Sequence, residues 1–267
     1  MSSRRLKNIA LSLLAALAIG FASVTVSVAA DTHVPAPAPA VAPAPAPANL
    51  TKADVEKIVH DYIVDNPLLI LSSVDDYQKK IMLSTQNSAL EKNQDFLFKD
   101  ADSPEVGNPA GDVTVVEFMD YNCHYCKLAM PTVMSLLEKD KKLRIIFKDF
   151  PILGPTSETA AKWAIAAQKQ KKYFEFHKAM MGNKSPISDA LLEKIAKNLG
   201  LDVAQAKKDA NSTEVAQQIG KNHALGSELG LSGTPAFIIG DEVFSGIMPL
   251  EDMEKKISEL RAKKDKK

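Results

Sequence analysis

Cys123-His124-Tyr125-Cys126 is the stretch of this chain whose residue types and spacing point most directly to a chemistry, and its two cysteines are the only ones in 267 residues. Thiols at this spacing can close a small disulfide ring, so the pair can be oxidised and reduced. The stretch follows the apolar run Val113 to Met119, which reads as a buried strand. A helix with Leu128, Val133, Met134 and Leu137 as its apolar positions follows, with Pro131 expected to kink it. On such a strand-to-helix turn the first sulfur lies at a helix N-terminus, where free N–H groups and the helix dipole favour a thiolate. A purely structural disulfide is the plainer reading, but so short a loop would constrain little of the unfolded chain. A zinc or copper site is the other alternative. One CxxC supplies about half of the ligands zinc usually takes, and only His124 and His177 suggest themselves as recruits.

Two further features strengthen the redox reading. Glu117 places a carboxylate inside the apolar strand, where burial is costly unless the acid has a partner or handles a proton. Gly233-Thr234-Pro235 precedes the strand-like Ala236-Phe237-Ile238-Ile239, and a proline just before a buried strand suits a cis bond. The elements that must position these residues follow in order. They are the strand, the CxxC helix, a second strand from Leu143 to Phe147, a helical block from Pro155 to Leu229, the Thr-Pro turn, a hairpin about Gly240-Asp241, and a last helix opened by Pro249. That pattern predicts an α/β fold.

With V-V-E-F-M-D-Y-N-C-H-Y-C-K, F-K-D-F-P-I-L-G-P and G-T-P-A-F-I-I-G in view, the chain from about Ser103 to Leu260 resembles the thioredoxin superfamily, and within it the DsbA-like periplasmic thiol:disulfide oxidoreductases. The resemblance implies a thioredoxin fold with an inserted helical domain at about 155–230. It implies Cys123 as exposed nucleophile, Cys126 as resolving thiol, Glu117 as the buried acid and Pro235 as the cis proline packed against the pair. It implies no cofactor beyond a redox-active Cys123–Cys126 disulfide. His124 and Tyr125 differ from the Pro-His of the strong oxidants, and Thr234 stands where those oxidants favour valine. These three are the candidate redox-tuning residues, and Thr234 is more like the isomerases than the DsbA oxidants. The implied partners are exported cysteine-containing substrates and a DsbB-like or DsbD-like membrane protein that recharges the site.

The remaining chain supplies context. Acids and bases balance at 33 each, and the bases Arg4, Arg5 and Lys7 fall in the opening segment, so the rest is slightly acidic. That argues against nucleic acid as a partner. Residues 1–30 read as a cleavable signal peptide: basic start, apolar run from Ile9 to Phe21, small residues Ser27-Val28-Ala29-Ala30. Export to an oxidising periplasm follows from it, where disulfide exchange has a use. Residues 31–49 are a Pro/Ala-rich spacer that favours extended polyproline II, reaching on the order of 40 Å.

From Leu50 to Asp102 the pattern is helical. Thr51 caps a helix with Val55, Ile58, Val59, Tyr62 and Ile63 on one face. Asn66-Pro67 should cap and open a second, whose Ile70, Val74, Tyr77 and Ile81 follow coiled-coil spacing. These stripes must be covered by the catalytic domain or by another copy. Covering by another copy resembles the dimeric and trimeric DsbC-like and ScsC-like members. Ser103 to Asp112 reads as a loop and domain boundary, and 103–267 as the catalytic domain. Lys148 reads as a surface lysine, with pairing to Glu117 as the alternative. His177 and His223 read as structural histidines.

Overall fold

The computed structural model describes residues 49–264, so the signal peptide and nearly all of the spacer lie outside the described residues. The chain divides into two compact units, Met1–Lys57 and Ile58–Lys267. In chain order the elements are α1 (Lys52–Asp65), α2 (Pro67–Lys92), α3 (Gln94–Phe98), β1 (Glu105–Gly107), β2 (Val113–Met119), α4 (His124–Lys139) and β3 (Leu143–Asp149). The helical block α5 (Pro155–Lys169), α6 (Tyr173–Gly182), α7 (Asp189–Asn198), α8 (Val203–Ala210) and α9 (Thr213–Glu228) follows. The chain then makes β4 (Ala236–Ile239), β5 (Glu242–Ser245) and α10 (Leu250–Lys264).

The sheet has the order β1-β3-β2-β4-β5, with β2 and β3 parallel and every other pair antiparallel. This is a thioredoxin-like fold with a helical insertion between β3 and β4. Period-two alternation divides the central strands between two cores. Val113, Val115, Met119, Leu143, Ile145 and Phe147 pack with α4, α6 and α10 on one face. Val116, Phe118, Ile146 and Ile238 pack on the other with Leu90, Leu97, Leu225 and Leu229.

That second core moves the boundary expected at Ser103. The end of α2 and all of α3 cover a sheet face, with Ala89, Leu90 and Leu97 buried. The Gln86 side-chain amide donates to the Leu229 carbonyl at 3.1 Å, and Asn93 and Lys92 both reach Glu228. Lys148 corrects the expectation most sharply. It keeps 0% of its side-chain surface and belongs to the face opposite Glu117. Its ammonium donates to Asp100 (3.0 Å), Ser103 Oγ (2.6 Å) and the Phe96 carbonyl (2.7 Å), and lies 3.9 Å from the Phe96 ring centre. A core strand thus holds the segment that joins the N-terminal helices to the sheet.

Other expectations shift locally. Thr51 and Asp54 make the reciprocal cap of α1. Asn66 does not cap α2; its side-chain amide turns back to the Tyr62 carbonyl at 2.8 Å. The stripe Ile70, Val74, Tyr77 and Ile81 is exposed and is not covered by the catalytic core. Within the expected loop lies β1, too short to show alternation and fixed to β3 by an Arg144–Glu105 ion pair at 2.6 Å. Pro155 opens α5, and Gly154 before it holds φ 118°, a value open to glycine. The helix α8 lies within the expected helical block, announced individually only by Asp202 capping the Gln205 N–H.

Candidate active site

The parallel strands β2 and β3 deliver the CxxC turn to the C-terminal edge of the sheet. Cys123 is the N-cap of α4, in extended conformation, and its Sγ accepts the Cys126 N–H at 3.4 Å. Cys123 Sγ also lies 3.0 Å from the Thr234 carbonyl oxygen. The Thr234–Pro235 bond is cis, as the sequence suggested. The thiols are unbridged. Cys123 retains 6% exposure, more closed than the exposed nucleophile expected, and Cys126 lies deeper. His124 and Tyr125 stand out in solvent with their rings edge to face. Burial pushes the Cys126 thiol far up, opposed by the Asp120 backbone and raised further by Glu117; the Thr234 hydroxyl lowers it. The two sulfurs are therefore unlike: Cys123 accepts a helix N–H at the start of α4 and keeps a little exposure, while Cys126 keeps its proton beneath.

Glu117 pairs across the sheet with Phe147 and Phe237 and is buried with Oε2 unpartnered. Burial raises its pKa to about 8, so it holds a proton at neutral pH. The residues that hold the turn in place were not anticipated. Asp120 accepts from Asn122 N–H (2.7 Å), Ile152 N–H and Leu153 N–H (both 2.9 Å), tying the CxxC turn to the loop after β3. Asn122 then donates to the hydroxyls of Thr156 and Ser157 at the start of α5. The pattern Asp-x-Asn before a helix is an Asx-turn signal and was the available clue.

A second buried carboxyl, Asp149, also escaped notice. It ends β3 beside Met119, on the same face as Glu117. Tyr173 donates to its Oδ2 at 3.1 Å, Asn222 donates to its backbone carbonyl at 3.0 Å, and Oδ1 has no partner. Burial first, and the Asp120 charge next, raise its pKa to about 7, while Tyr173 and Tyr121 pull the other way. His177 is 3.2 Å from the Tyr121 hydroxyl through Nδ1, sits 4.5 Å from the Phe147 ring, and leaves Nε2 unpartnered. Burial lowers it to about 3, so it is neutral. Its structural role comes with an unsatisfied nitrogen. His223 packs on the Phe150 ring at 5.1 Å. Among the described residues no group of three His, Cys, Asp or Glu is placed to hold a metal ion.

The fold and the site together define a thioredoxin-fold protein with a CxxC turn and a helical insertion. The DSBA-like thioredoxin domain model matches residues 114–258, and the chain belongs to that family. A thioredoxin-like oxidoreductase from Silicibacter pomeroyi is 40% identical, with 64% of this chain covering 98% of that one at a TM-score of 0.62. The thiol-disulfide exchange protein alpha-DsbA2 from Wolbachia pipientis is 36% identical, covering 67% of this chain and 97% of that one, with a TM-score of 0.62. A linker-deleted mutant of Proteus mirabilis ScsC is 27% identical, and 82% of this chain covers 100% of it with a TM-score of 0.65. The chain also matches curated Na+/H+ antiporters at 28% identity, spanning only 24% of their length.

Proposed function

We propose that the chain is a periplasmic thiol:disulfide oxidoreductase that forms or isomerises disulfides in exported proteins. The observation that carries the reading is the asymmetry of the pair: Cys123 caps α4 and accepts a backbone N–H, while Cys126 is buried beneath it. Cys123 thiolate attacks a substrate disulfide, forming a mixed disulfide and releasing one substrate sulfur. Cys126 then attacks Cys123 Sγ and displaces the substrate sulfur, or a substrate thiol attacks the bound substrate sulfur and displaces Cys123; in the forming direction a substrate thiolate attacks Cys123 of the oxidised pair and Cys126 is the sulfur that leaves. Pro235 and the Thr234 carbonyl border the attacking sulfur, Glu117 handles the proton of Cys126, and His124, Tyr125 and Thr234 tune the potential. The site needs no cofactor. The likeness to a thiol-disulfide exchange protein supports this chemistry.

The exported location rests on residues 1–30 as signal peptide, and no helix among the described residues is long and apolar enough to cross a membrane. The exposed stripes of α1 and α2 favour a homodimer or homotrimer joined through residues 50–83, with cysteine-containing substrates and a DsbB-like or DsbD-like recharging partner. The test is reactivation of a scrambled-disulfide substrate by the chain from residue 31, beside a truncation starting at Ser84. Strong reactivation lost on truncation establishes an oligomeric isomerase; fast oxidation of reduced substrate, equal in both, establishes an oxidase. A Cys126→Ser variant that accumulates no mixed disulfide through Cys123 sinks both and leaves metal binding.

A further inference from the structure

Behind the CxxC turn lies a buried polar cluster of which the exchange described above uses only Glu117. Glu117 and Asp149 are diagonal neighbours on adjacent strands and share a face. Tyr121, two positions before Cys123 and fully buried, feels the charge of both. Tyr173 on α6 holds Asp149 Oδ2, and the same residue lines a cavity of about 520 Å³ with Lys99, Glu105, Lys171, Phe174 and Glu175. None of the cavity's lining residues belongs to the CxxC turn or the Thr234-Pro235 loop. A substrate chain seated over Cys123 would leave that cavity open.

We propose that Asp149, diagonal to Glu117 on the same buried sheet face and bonded by Tyr173 at the edge of the cavity, is a second proton-holding residue of the redox site. The proposal rests on the thiol–disulfide exchange proposed above. In the resolving step the Cys126 sulfur attacks Cys123 Sγ of the mixed disulfide. The Cys123–Cys126 bond forms, the bond to the substrate sulfur breaks, and that sulfur leaves as a thiolate carrying the electron pair. Cys126 is oxidised and the substrate sulfur reduced. The proton lost by Cys126 passes to the carboxyl pair and from Asp149 to water in the cavity. In the reverse direction the same groups return it to the departing Cys126.

The surroundings of Asp149 suit this task. The groups that face it are Glu117 on β2, Asp120 and Tyr121 after it, Tyr173 on α6 and Asn222 on α9, with His177 one step further out against the Tyr121 hydroxyl. His177 is neutral, and the cation next in sequence, Lys148, belongs to the opposite face and pairs with Asp100. No cation therefore fixes Asp149 in its ionised form. With its pKa near 7 it exchanges a proton at neutral pH, whereas Glu117 near 8 is already protonated there.

The test is stopped-flow reaction of the reduced chain (from residue 31) with 5,5′-dithiobis(2-nitrobenzoate), in which one thionitrobenzoate leaves when Cys123 attacks and a second when Cys126 resolves. In the wild type the second phase should accelerate through about pH 7, as Asp149 ionises. Asp149→Asn should slow that phase roughly five- to tenfold at pH 7, move its midpoint toward that of Glu117, and leave the first phase unchanged. Tyr173→Phe, which removes one hydroxyl and keeps the ring, should slow the second phase roughly two- to fivefold and serves where Asp149→Asn does not fold. A wild-type second phase in the folded variants, or equal slowing of both phases, overturns the proposal. A wild-type protein without any second phase overturns the exchange reading itself, and Cys126→Ser shows what that trace looks like.

Discussion

The carbonyl oxygen of Thr234 lies 3.0 Å from Cys123 Sγ, while the Thr234 hydroxyl is buried without a hydrogen-bond partner. One residue thus borders both sulfurs, its backbone facing Cys123 and its hydroxyl, unpartnered beside the Cys126 thiol, placed to hydrogen-bond the Cys126 thiolate and so lower that pKa. A buried hydroxyl without a partner costs stability, so Thr234→Val, which keeps the shape, should stabilise the fold by ~1 kcal/mol. The same change removes an influence that eases Cys126 ionisation, so resolution of mixed disulfides should slow. Calorimetry and thiol-exchange kinetics on one sample read both effects. A lowered melting temperature with faster resolution would contradict the account.

Lys148 and Asp100 make a second separable claim. Burial alone would push the Asp100 carboxyl up, yet Ser103 and Lys148 together hold it below the ordinary carboxylate range. Asp100→Ala leaves the Lys148 ammonium buried with only Ser103 and the Phe96 carbonyl, and should cost about 3 kcal/mol. Truncation at Ser103 removes Asp100, Phe96 and the buried Leu90 and Leu97 at once. It should give an aggregating or unfolded product, whereas truncation at Ser84 should melt cooperatively near the full chain. Circular dichroism melts of the two truncations decide it.

These particulars show what could be read from the sequence. The strand Val113–Met119 has the bounds expected, because an apolar run between turn residues admits little else. The CxxC turn and the cis Thr234–Pro235 were legible for the same reason: few chemistries need cysteines at that spacing or a proline at that strand start. Lys148 was misread because a lysine in a strand looks solvated until the segment that covers it is known, and α3 supplies that cover from far away in sequence. Asp149 was overlooked although parity with Leu143, Ile145 and Phe147 puts it on the buried face; its partners Tyr173 and Asn222 come from the helical insertion. Local pattern fixes elements and turns. Burial of a polar group depends on what packs over it.

The buried ionisable groups set opposing pH dependences. Glu117 and Asp149 have pKa values raised to about 8 and about 7, so between ordinary carboxylate values and those limits the native state binds protons that the unfolded chain has lost. Stability therefore falls as pH rises through that window, by on the order of a few kcal/mol. His177, lowered from 6.5 to about 3, works the other way, adding stability as pH rises between those values. The slopes partly cancel below about pH 6.5 and the carboxyls act alone above it. Glu117→Gln should accordingly be more stable than wild type at pH 8.5 and lose that advantage at pH 5. Denaturant titrations at the two pH values test the sign, and an advantage that grows toward pH 5 would refute it.

The exposed seam of α2 gives the last prediction. Ile70, Val74, Tyr77 and Ile81 repeat at coiled-coil spacing and each keeps at least 40% of its surface exposed, although the same helix buries Ala89 and Leu90 two turns later. Burial in the sheet core thus ends before the seam begins, and the seam is free to meet its counterpart on another copy. Ile70→Glu with Ile81→Glu places like charges across such a contact and desolvates them there, so light scattering should show the mass falling to one chain. The α2 residues that pack on the sheet are untouched, so the melting of the catalytic domain and its exchange with a small disulfide should stay as they were. Under the oligomeric-isomerase reading proposed above, reactivation of scrambled substrate should fall at least several-fold. A variant that remains oligomeric would place the contact elsewhere. One that becomes monomeric yet isomerises as well as before would separate assembly from activity.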